Sequence, residues 1–219
     1  MAFCARSRHS VEHISIKRQI ADQMTKVEGQ VRMATASSQP VLLRTVVLVG
    51  MMGSGKTAIG RSLATALDVA FLDSDAAIEE AASVSIAEIF ERDGEAFFRA
   101  REAEVIDRLL SGPPAILSTG GGAFLAPATR ELIAKKGVAV WLDADLMTLW
   151  ERVRHKNTRP LLRTANPLAT LTELMNVRVP VYAQAGVHVP VLPTSSIEET
   201  TQSVLETLEK DPSILEPAL

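Results

Sequence analysis

Cysteine is all but missing from this sequence: Cys4 stands alone, so no disulfide can close within the chain, and a reducing compartment is expected. Long apolar runs are missing too, since none approaches the ~20 residues that a membrane-spanning helix needs. That argues against membrane contact and makes the cytoplasm the expected location. Nor is there a surplus of positive charge, with 23 Lys and Arg against 26 Asp and Glu and a net charge of −3. A nucleic-acid partner, which calls for a basic surface, finds no support in that balance.

The first 41 residues lack one thing more, an apolar period strong enough to demand burial. They also differ from the rest in charge: residues 1–44 hold seven cations (Arg6, Arg8, Lys17, Arg18, Lys26, Arg32 and Arg44) against three acids (Glu12, Asp22 and Glu28). The stretch 34–40, Ala-Thr-Ala-Ser-Ser-Gln-Pro, has the composition of a linker. Residues 1–41 therefore read as an appended arm, disordered or weakly helical, with Met33 as an alternative start. A basic, serine-containing beginning also permits a transit peptide, but the three acids count against it, and there is no apolar core for a secretory signal.

What the sequence does have is concentrated at residues 46–64. The apolar run Val46-Val47-Leu48-Val49 leads into Gly50-Met51-Met52-Gly53-Ser54-Gly55-Lys56-Thr57, and an amphipathic stretch, 58–64, follows. Strand, glycine-rich turn and helix in that order are the setting in which G-x-x-x-x-G-K-[ST] signals a phosphate-binding loop. The glycines let successive backbone N–H groups turn inward, and the helix that starts there adds its dipole. In such a loop Lys56 reaches the β- and γ-phosphates and Thr57 offers its hydroxyl to Mg²⁺. With Gly at ~7% of an average chain, the four fixed positions match by accident at roughly the percent level.

Beyond residue 44, apolar β-rich runs alternate with helical ones, the signature of a parallel sheet flanked by helices. Strands are expected at 45–49, 69–72, 115–118, 138–142 and 188–191. Helices are expected at 56–66, 76–81, 86–92, 95–110, 128–135, 146–154, 167–178 and 197–209. Ligands of such sheets bind at the carboxyl ends of the strands, so the residues there come first. Asp73-Ser74-Asp75 follows the second strand. An extended spacing of two would turn both carboxylates toward one cleft, although Asp75 could equally cap the helix it precedes. Thr119-Gly120-Gly121-Gly122 follows the third and can lay bare N–H groups against an anion, or serve as a flexible turn. Residues 94–102 bring Phe97, Phe98, Arg99 and Arg101, and spacing does not say which arginine faces the cleft and which faces solvent. Residues 151–163, dense in cations and broken by Pro160, suit a mobile lid that carries arginine over a triphosphate, the alternative being a solvated helix end.

The order of these motifs resembles that of the shikimate kinase family over residues 42–210: the phosphate loop, Asp73-x-Asp75, Phe98-Arg99, Gly120-Gly121-Gly122, Arg159-Pro160-Leu161-Leu162 and Arg178-x-Pro180-x-Tyr182. The resemblance implies an α/β fold of the nucleoside-monophosphate-kinase kind, three layers (α/β/α) around a five-stranded parallel sheet. It implies a small helical substrate-binding region near 75–105, a lid near 152–166 and a C-terminal tail at 211–219. The implied reaction moves the γ-phosphoryl group of ATP to the 3-hydroxyl of shikimate, giving shikimate 3-phosphate and ADP on the way to chorismate and the aromatic amino acids. The implied enzyme is a monomer that uses ATP and Mg²⁺.

Carried over residue by residue, Gly53, Ser54, Gly55, Lys56, Thr57 and Ala58 match the ATP-binding loop. Thr57 and, through water, Asp73 match the metal site, and Asp75 matches the residue that meets the substrate hydroxyls. Arg99, Arg178, Gly121 and Gly122 match the group around the substrate carboxylate. Arg159 matches the lid arginine that meets both ATP and the phosphoryl group in transit, so Lys56, Asp75 and Arg159 are the implied catalytic residues. Ser118 stands where the family has a polar residue near the metal waters, and Ser83 where it often has glycine. The adenine-stacking arginine is either Arg152 or Arg154.

Other readings stay open at this point. A gluconate-type sugar-acid kinase shares the phosphate loop and takes a hydroxylated carboxylate, but Asp73-x-Asp75 with Arg99, the three glycines and Arg178 counts against it. A nucleoside monophosphate kinase would need residues to read a second base. A nucleotide-binding regulator without catalysis would not need Lys56, Asp75 and Arg159 together.

Overall fold

The computed structural model describes residues 40–155 and 160–217, so nearly all of the expected arm lies outside the described residues. In chain order the elements begin with β1 (Val41–Leu42), β2 (Thr45–Val49), α1 (Lys56–Ala66), β3 (Phe71–Asp73), α2 (Ser74–Ala82), α3 (Ile86–Leu110) and β4 (Ile116–Ser118). They continue with α4 (Pro127–Lys136), β5 (Gly137–Ala144), α5 (Leu146–Val153), α6 (Pro167–Tyr182), β6 (Val187–Val191), α7 (Ile197–Leu208) and β7 (Leu215–Glu216). Short 3-10 turns occupy Ala123–Leu125 and Pro160–Leu162. Among the described residues no helix is long and apolar enough to cross a membrane.

Five strands form one parallel sheet in the order β3-β4-β2-β5-β6. Every residue of β2 is buried, as its unbroken Thr-Val-Val-Leu-Val demands of a central strand covered on both faces. The next strands in sequence lie to one side of β2 and the later ones to the other, so the loop leaving β2 sits where the strand order reverses, the usual ligand position of an open α/β sheet. Register sharpens this. Ser118 pairs with Leu48 on one side and Asp73 on the other, so three strands end level and their following loops share one rim.

Several element boundaries differ from expectation for identifiable reasons. The second strand covers 71–73 rather than 69–72, because the N–H of Val69 turns back to the carbonyl of Ala64 and finishes α1. Helix α2 starts at Ser74, two residues early, because Asp73 and not Asp75 caps it: the Asp73 carboxylate accepts from the N–H groups of Asp75 and Ala76. The two helices expected at 86–92 and 95–110 are one run broken at Gly94, which adopts φ 80 and ψ 171. Helix α6 continues through Pro180 to Tyr182, whose side chain is fully buried, so packing overrides the expected stop at 178.

A second, two-stranded pairing had no counterpart in the sequence reading. β1 runs antiparallel to β7, joining Val41 to Glu216 and Leu42 to Leu215, with Ile214 and Leu215 buried. The segment read as a tail is thus packed as far as these strands.

Candidate active site

The rim encloses a cavity of ≈ 470 Å³ whose walls include Lys56, Thr57, Asp73, Asp75, Gly120 and Arg152. On the β2 side the phosphate loop needs left-handed backbone at Gly50, Gly53 and Gly55, with φ of 138, 86 and 100. At Gly50 a Cβ would also stand 2.7 Å from the carbonyl oxygen of Leu142, so only glycine fits. Gly53, Gly55, Lys56, Thr57 and Ala58 line the cavity, while Ser54 is fully buried behind them. The Lys56 ammonium donates to the carbonyls of Gly50 (2.9 Å) and Met51 (3.0 Å), held across the mouth of the loop.

On the opposite side, Asp73 and Asp75 line the same cavity although they do not share an extended strand. Asp73 ends β3 and Asp75 lies in the first turn of α2. Asp75 packs on the glycine loop, where a Cβ on Gly120 would come within 2.7 Å of Asp75 Oδ1 and 3.2 Å of Glu102 Oε1. Ser118 and Thr119 are buried beneath, with the Thr119 hydroxyl donating to the Leu48 carbonyl (3.1 Å).

The choice between Arg99 and Arg101 is resolved by geometry. Arg101 pairs with exposed Glu104, whereas Arg99 lies against Gly122, where a Cβ would stand 2.6 Å from Nη1. Arg99 Nη1 donates to Oε2 of Glu102 at 2.7 Å, and Nη2 to Glu95 at 3.2 Å. Burial works against the Arg99 charge, but Glu102 and Glu95 outweigh it and hold the guanidinium above its ordinary value. Glu102 is only 3% exposed, and there desolvation wins: burial pushes its carboxyl up, against the pull of Arg99, with Asp75 and Glu95 adding to the rise. Its second oxygen, Oε1, is buried without a hydrogen-bond partner among the described residues.

Arg178 is buried on α6 and lies near Gly121, with Nη1 3.6 Å from where a Cβ would be. Tyr182, one turn on, donates its hydroxyl to the Gly121 carbonyl. Burial pushes that hydroxyl up, while the Arg178 guanidinium beside it pulls the other way. Arg99, Arg178, Gly121 and Gly122 are therefore brought together, with Glu102 and Tyr182 as their supports. Neither support stands out in the sequence: Glu102 is one acid among many in a charged helix, and Tyr182 is no more than the end of the Arg-x-Pro-x-Tyr motif.

At the nucleotide end, Arg152 lines the cavity and Nη1 donates to the Gly53 carbonyl at 3.3 Å. Arg154 pairs instead with exposed Glu151. Ser195, Ile197 and Thr200 complete the far wall, residues without a recognisable motif. Arg159 lies outside the described residues, as does the part of the expected lid from 156 to 159.

A phosphate loop at the switch point of a parallel sheet, with carboxylates on the same cavity and two guanidiniums packed on the neighbouring glycine loop, defines a P-loop kinase. A family model for shikimate kinase matches residues 52–209. Shikimate kinase of Ruegeria pomeroyi is 56% identical over 193 residues, covering 88% of this chain and 99% of the relative, and that of Cereibacter sphaeroides is 57% identical over 175 residues, covering 80% and 87%. The Ruegeria alignment is longer than the stretch from residue 42 to the end, so it reaches into the arm. Shikimate kinase from Acinetobacter baumannii, solved in complex with shikimate, is 36% identical with a TM-score of 0.71 over 75% of this chain and 92% of its own. The chain belongs to the shikimate kinase family. A gluconokinase from Sinorhizobium meliloti, 17% identical with a TM-score of 0.52 over 78% of this chain and 94% of its own, shares the fold alone.

Proposed function

We infer that this site catalyses ATP-dependent phosphorylation of the 3-hydroxyl of shikimate, a step of the shikimate pathway. The observation that carries the inference is the convergence on the glycine loop: Asp75 at Gly120, Arg178 at Gly121 and Arg99 at Gly122, with Asp75, Gly120 and Gly121 on the cavity that the phosphate loop also lines and the two arginines next to it. A small acid with several hydroxyls calls for that set, arginines for the carboxylate and a carboxylate for the hydroxyl.

In the proposed mechanism the backbone N–H groups of the phosphate loop hold the ATP phosphates, and Lys56 exchanges the Gly50 and Met51 carbonyls for the β- and γ-phosphates. Arg152 covers the adenine, across from Ser195 and Ile197. The guanidiniums of Arg99 and Arg178 fix the shikimate carboxylate against the Gly121 and Gly122 backbone. That leaves the 3-hydroxyl facing Asp75, which orients it and receives its proton. Arg159 neutralises charge on the transferring group and, with the rest of the lid, excludes water.

The residues suit Mg²⁺. Thr57 and Asp73 put a hydroxyl and a carboxylate on the same cavity, hard oxygen donors of the kind Mg²⁺ takes while keeping waters and phosphate oxygens for its other positions. Among the described residues no group of three or more His, Cys, Asp or Glu forms a cage of its own, in keeping with a metal that arrives with the nucleotide. Thr57 and, through water, Asp73 would hold the ion, which would supply neutralisation of the phosphate charge.

A coupled ADP-release assay with shikimate, D-gluconate or a nucleoside monophosphate as acceptor tests the inference. ADP release should depend on shikimate and not on the other two. Release that is indifferent to shikimate would overturn it.

A further inference from the structure

A second cavity, of ≈ 550 Å³, opens where the start of β5 meets α4 and the turn after α6, and it shares no lining residue with the active site. Two guanidiniums line it. One terminal nitrogen of Arg44 donates to the carbonyls of Ala134 (3.0 Å) and Gly137 (2.6 Å), and one of Arg130 to those of Phe124 (2.9 Å) and Leu125 (2.8 Å). These bonds fix both side chains and leave the remaining guanidinium nitrogens without an acceptor among the described residues. Neither arginine is in an ion pair there: Glu131 shares the cavity but bridges to neither, and Asp211, lowered chiefly by Ser213, feels Arg44 only weakly. The buried side chains of Phe124, Val138 and Ala139 supply apolar wall.

Fixed guanidiniums with spare parallel N–H groups recognise carboxylate or phosphate oxygens, and apolar wall beside them recognises what carries the anion. We propose that this cavity binds a small organic anion, a carboxylate or phosphate on a compact apolar body, and that its occupancy changes the affinity for shikimate. The path is short at both ends. Phe124 and Leu125, whose carbonyls Arg130 holds, belong to the 3-10 turn that begins at Ala123, right after Gly122, and Gln184 and Gly186 at the cavity come two and four residues after Tyr182, which holds the Gly121 carbonyl. An anion on the spare N–H groups of Arg130 pulls, through the bonds that Arg130 keeps to those carbonyls, on the loop that carries Gly121 and Gly122, and linkage makes the effect reciprocal. The coupling rests on the proposed substrate site, whereas the binding does not.

Phenyl phosphate is the probe, titrated by calorimetry into the full chain saturated with ADP, Mg²⁺ and shikimate so that the active site is filled. Saturable binding at one site is expected, weakened at least tenfold by Arg130→Gln and by Ala134→Glu. The latter replaces neither arginine and puts a carboxylate on the cavity wall at an exposed helical position, one turn on from Arg130 and on the residue whose carbonyl Arg44 holds, where it competes with an anion for both guanidiniums. Inorganic phosphate, without the apolar body, should bind at least threefold more weakly. The probe should change KM for shikimate at least twofold in the parent chain and not in Ala134→Glu, whose kcat without the probe matches the parent. Absence of saturable binding, or equal binding in both variants, overturns the site. Equal affinity for inorganic phosphate overturns the organic ligand, and binding with an unchanged KM overturns the coupling.

Discussion

Arg99 Nη1 stands 2.7 Å from Oε2 of Glu102, three residues on in the same helix, and that carboxylate is 3% exposed while the arginine is 30% exposed. The buried acid thus holds the arginine by one nitrogen and directs the guanidinium onto Gly122. In Glu102→Gln the shape stays and the charge goes. KM for shikimate should rise about 10-fold, the lower end of what a hydrogen bond to a charged group contributes, with KM for ATP within about twofold. Steady-state kinetics check the split, and equal losses for both ligands would contradict it. Arg178→Ala, which removes a guanidinium that the proposed mechanism places on the substrate carboxylate, should raise KM for shikimate ~10- to 150-fold.

Asp75 separates proton removal from orientation. Its carboxylate sits at Gly120 on the cavity shared with Lys56 and Thr57, where the proposed mechanism brings the acceptor hydroxyl for in-line attack. If the proton must be taken, Asp75→Asn loses ~10²–10⁴-fold in kcat. A loose transition state asks less of a base, and then Asn keeps most of kcat while Ala loses it. Calorimetry should find ATP binding intact in both variants, and full activity of Asp75→Ala would take this residue out of the reaction.

Ser83 ends α2 with φ 55 and ψ 24, left-handed backbone that a side chain resists. This gives a physical reason for the glycine that the family often has there. Ser83→Gly should raise stability by about 0.5–1 kcal/mol, the relief of strain less the greater freedom glycine has when unfolded. Urea unfolding measures it, and a lower midpoint would show that the serine hydroxyl matters more than the backbone.

Much of this was legible in the sequence because single residues carried it. The phosphate loop had glycines at the positive-φ positions, and α1 was read at its observed bounds, 56–66, since strand, loop and helix are consecutive there. Asp73 and Asp75 are legible in the sequence as cleft residues, but the pattern points to Asp75 as the possible cap, whereas Asp73 caps α2. Proximity in sequence does not say which carboxylate bends back to which N–H. Glu102 and Tyr182 were beyond reach because their roles exist only across the fold, against Gly120 and Gly121. The pairing of β1 with β7 joins two-residue strands from opposite ends of the domain, too short for an alternating pattern to register.

Acid should weaken the fold through its helix caps. The Thr148 hydroxyl and N–H hold the Asp145 carboxyl below its ordinary value, and Ser85 does the same for Glu88 in a capping box. A lowered carboxyl contributes stability that is fully present above the unfolded values, 3.8 for Asp and 4.5 for Glu, and is lost as the pH falls through the folded ones. Glu102, raised by burial, acts with the opposite sign, since the folded state takes up its proton more readily. Urea midpoints measured from pH 7 down to pH about 3 should therefore fall below pH about 4.5. Asp145→Asn, which can still cap but cannot titrate, should flatten that fall, and an unchanged slope would mean the Asp145 cap does not contribute.

In the proposed mechanism one site holds ATP by its phosphates and shikimate by its carboxylate, with the 3-hydroxyl turned to Asp75. The most direct test is to identify the product formed from ATP, Mg²⁺ and shikimate by phosphorus and proton NMR. The expected product is a single phosphomonoester whose phosphorus couples to the proton on carbon 3. Phosphate on another hydroxyl, or ATP consumed without any phosphorylated shikimate, would contradict it.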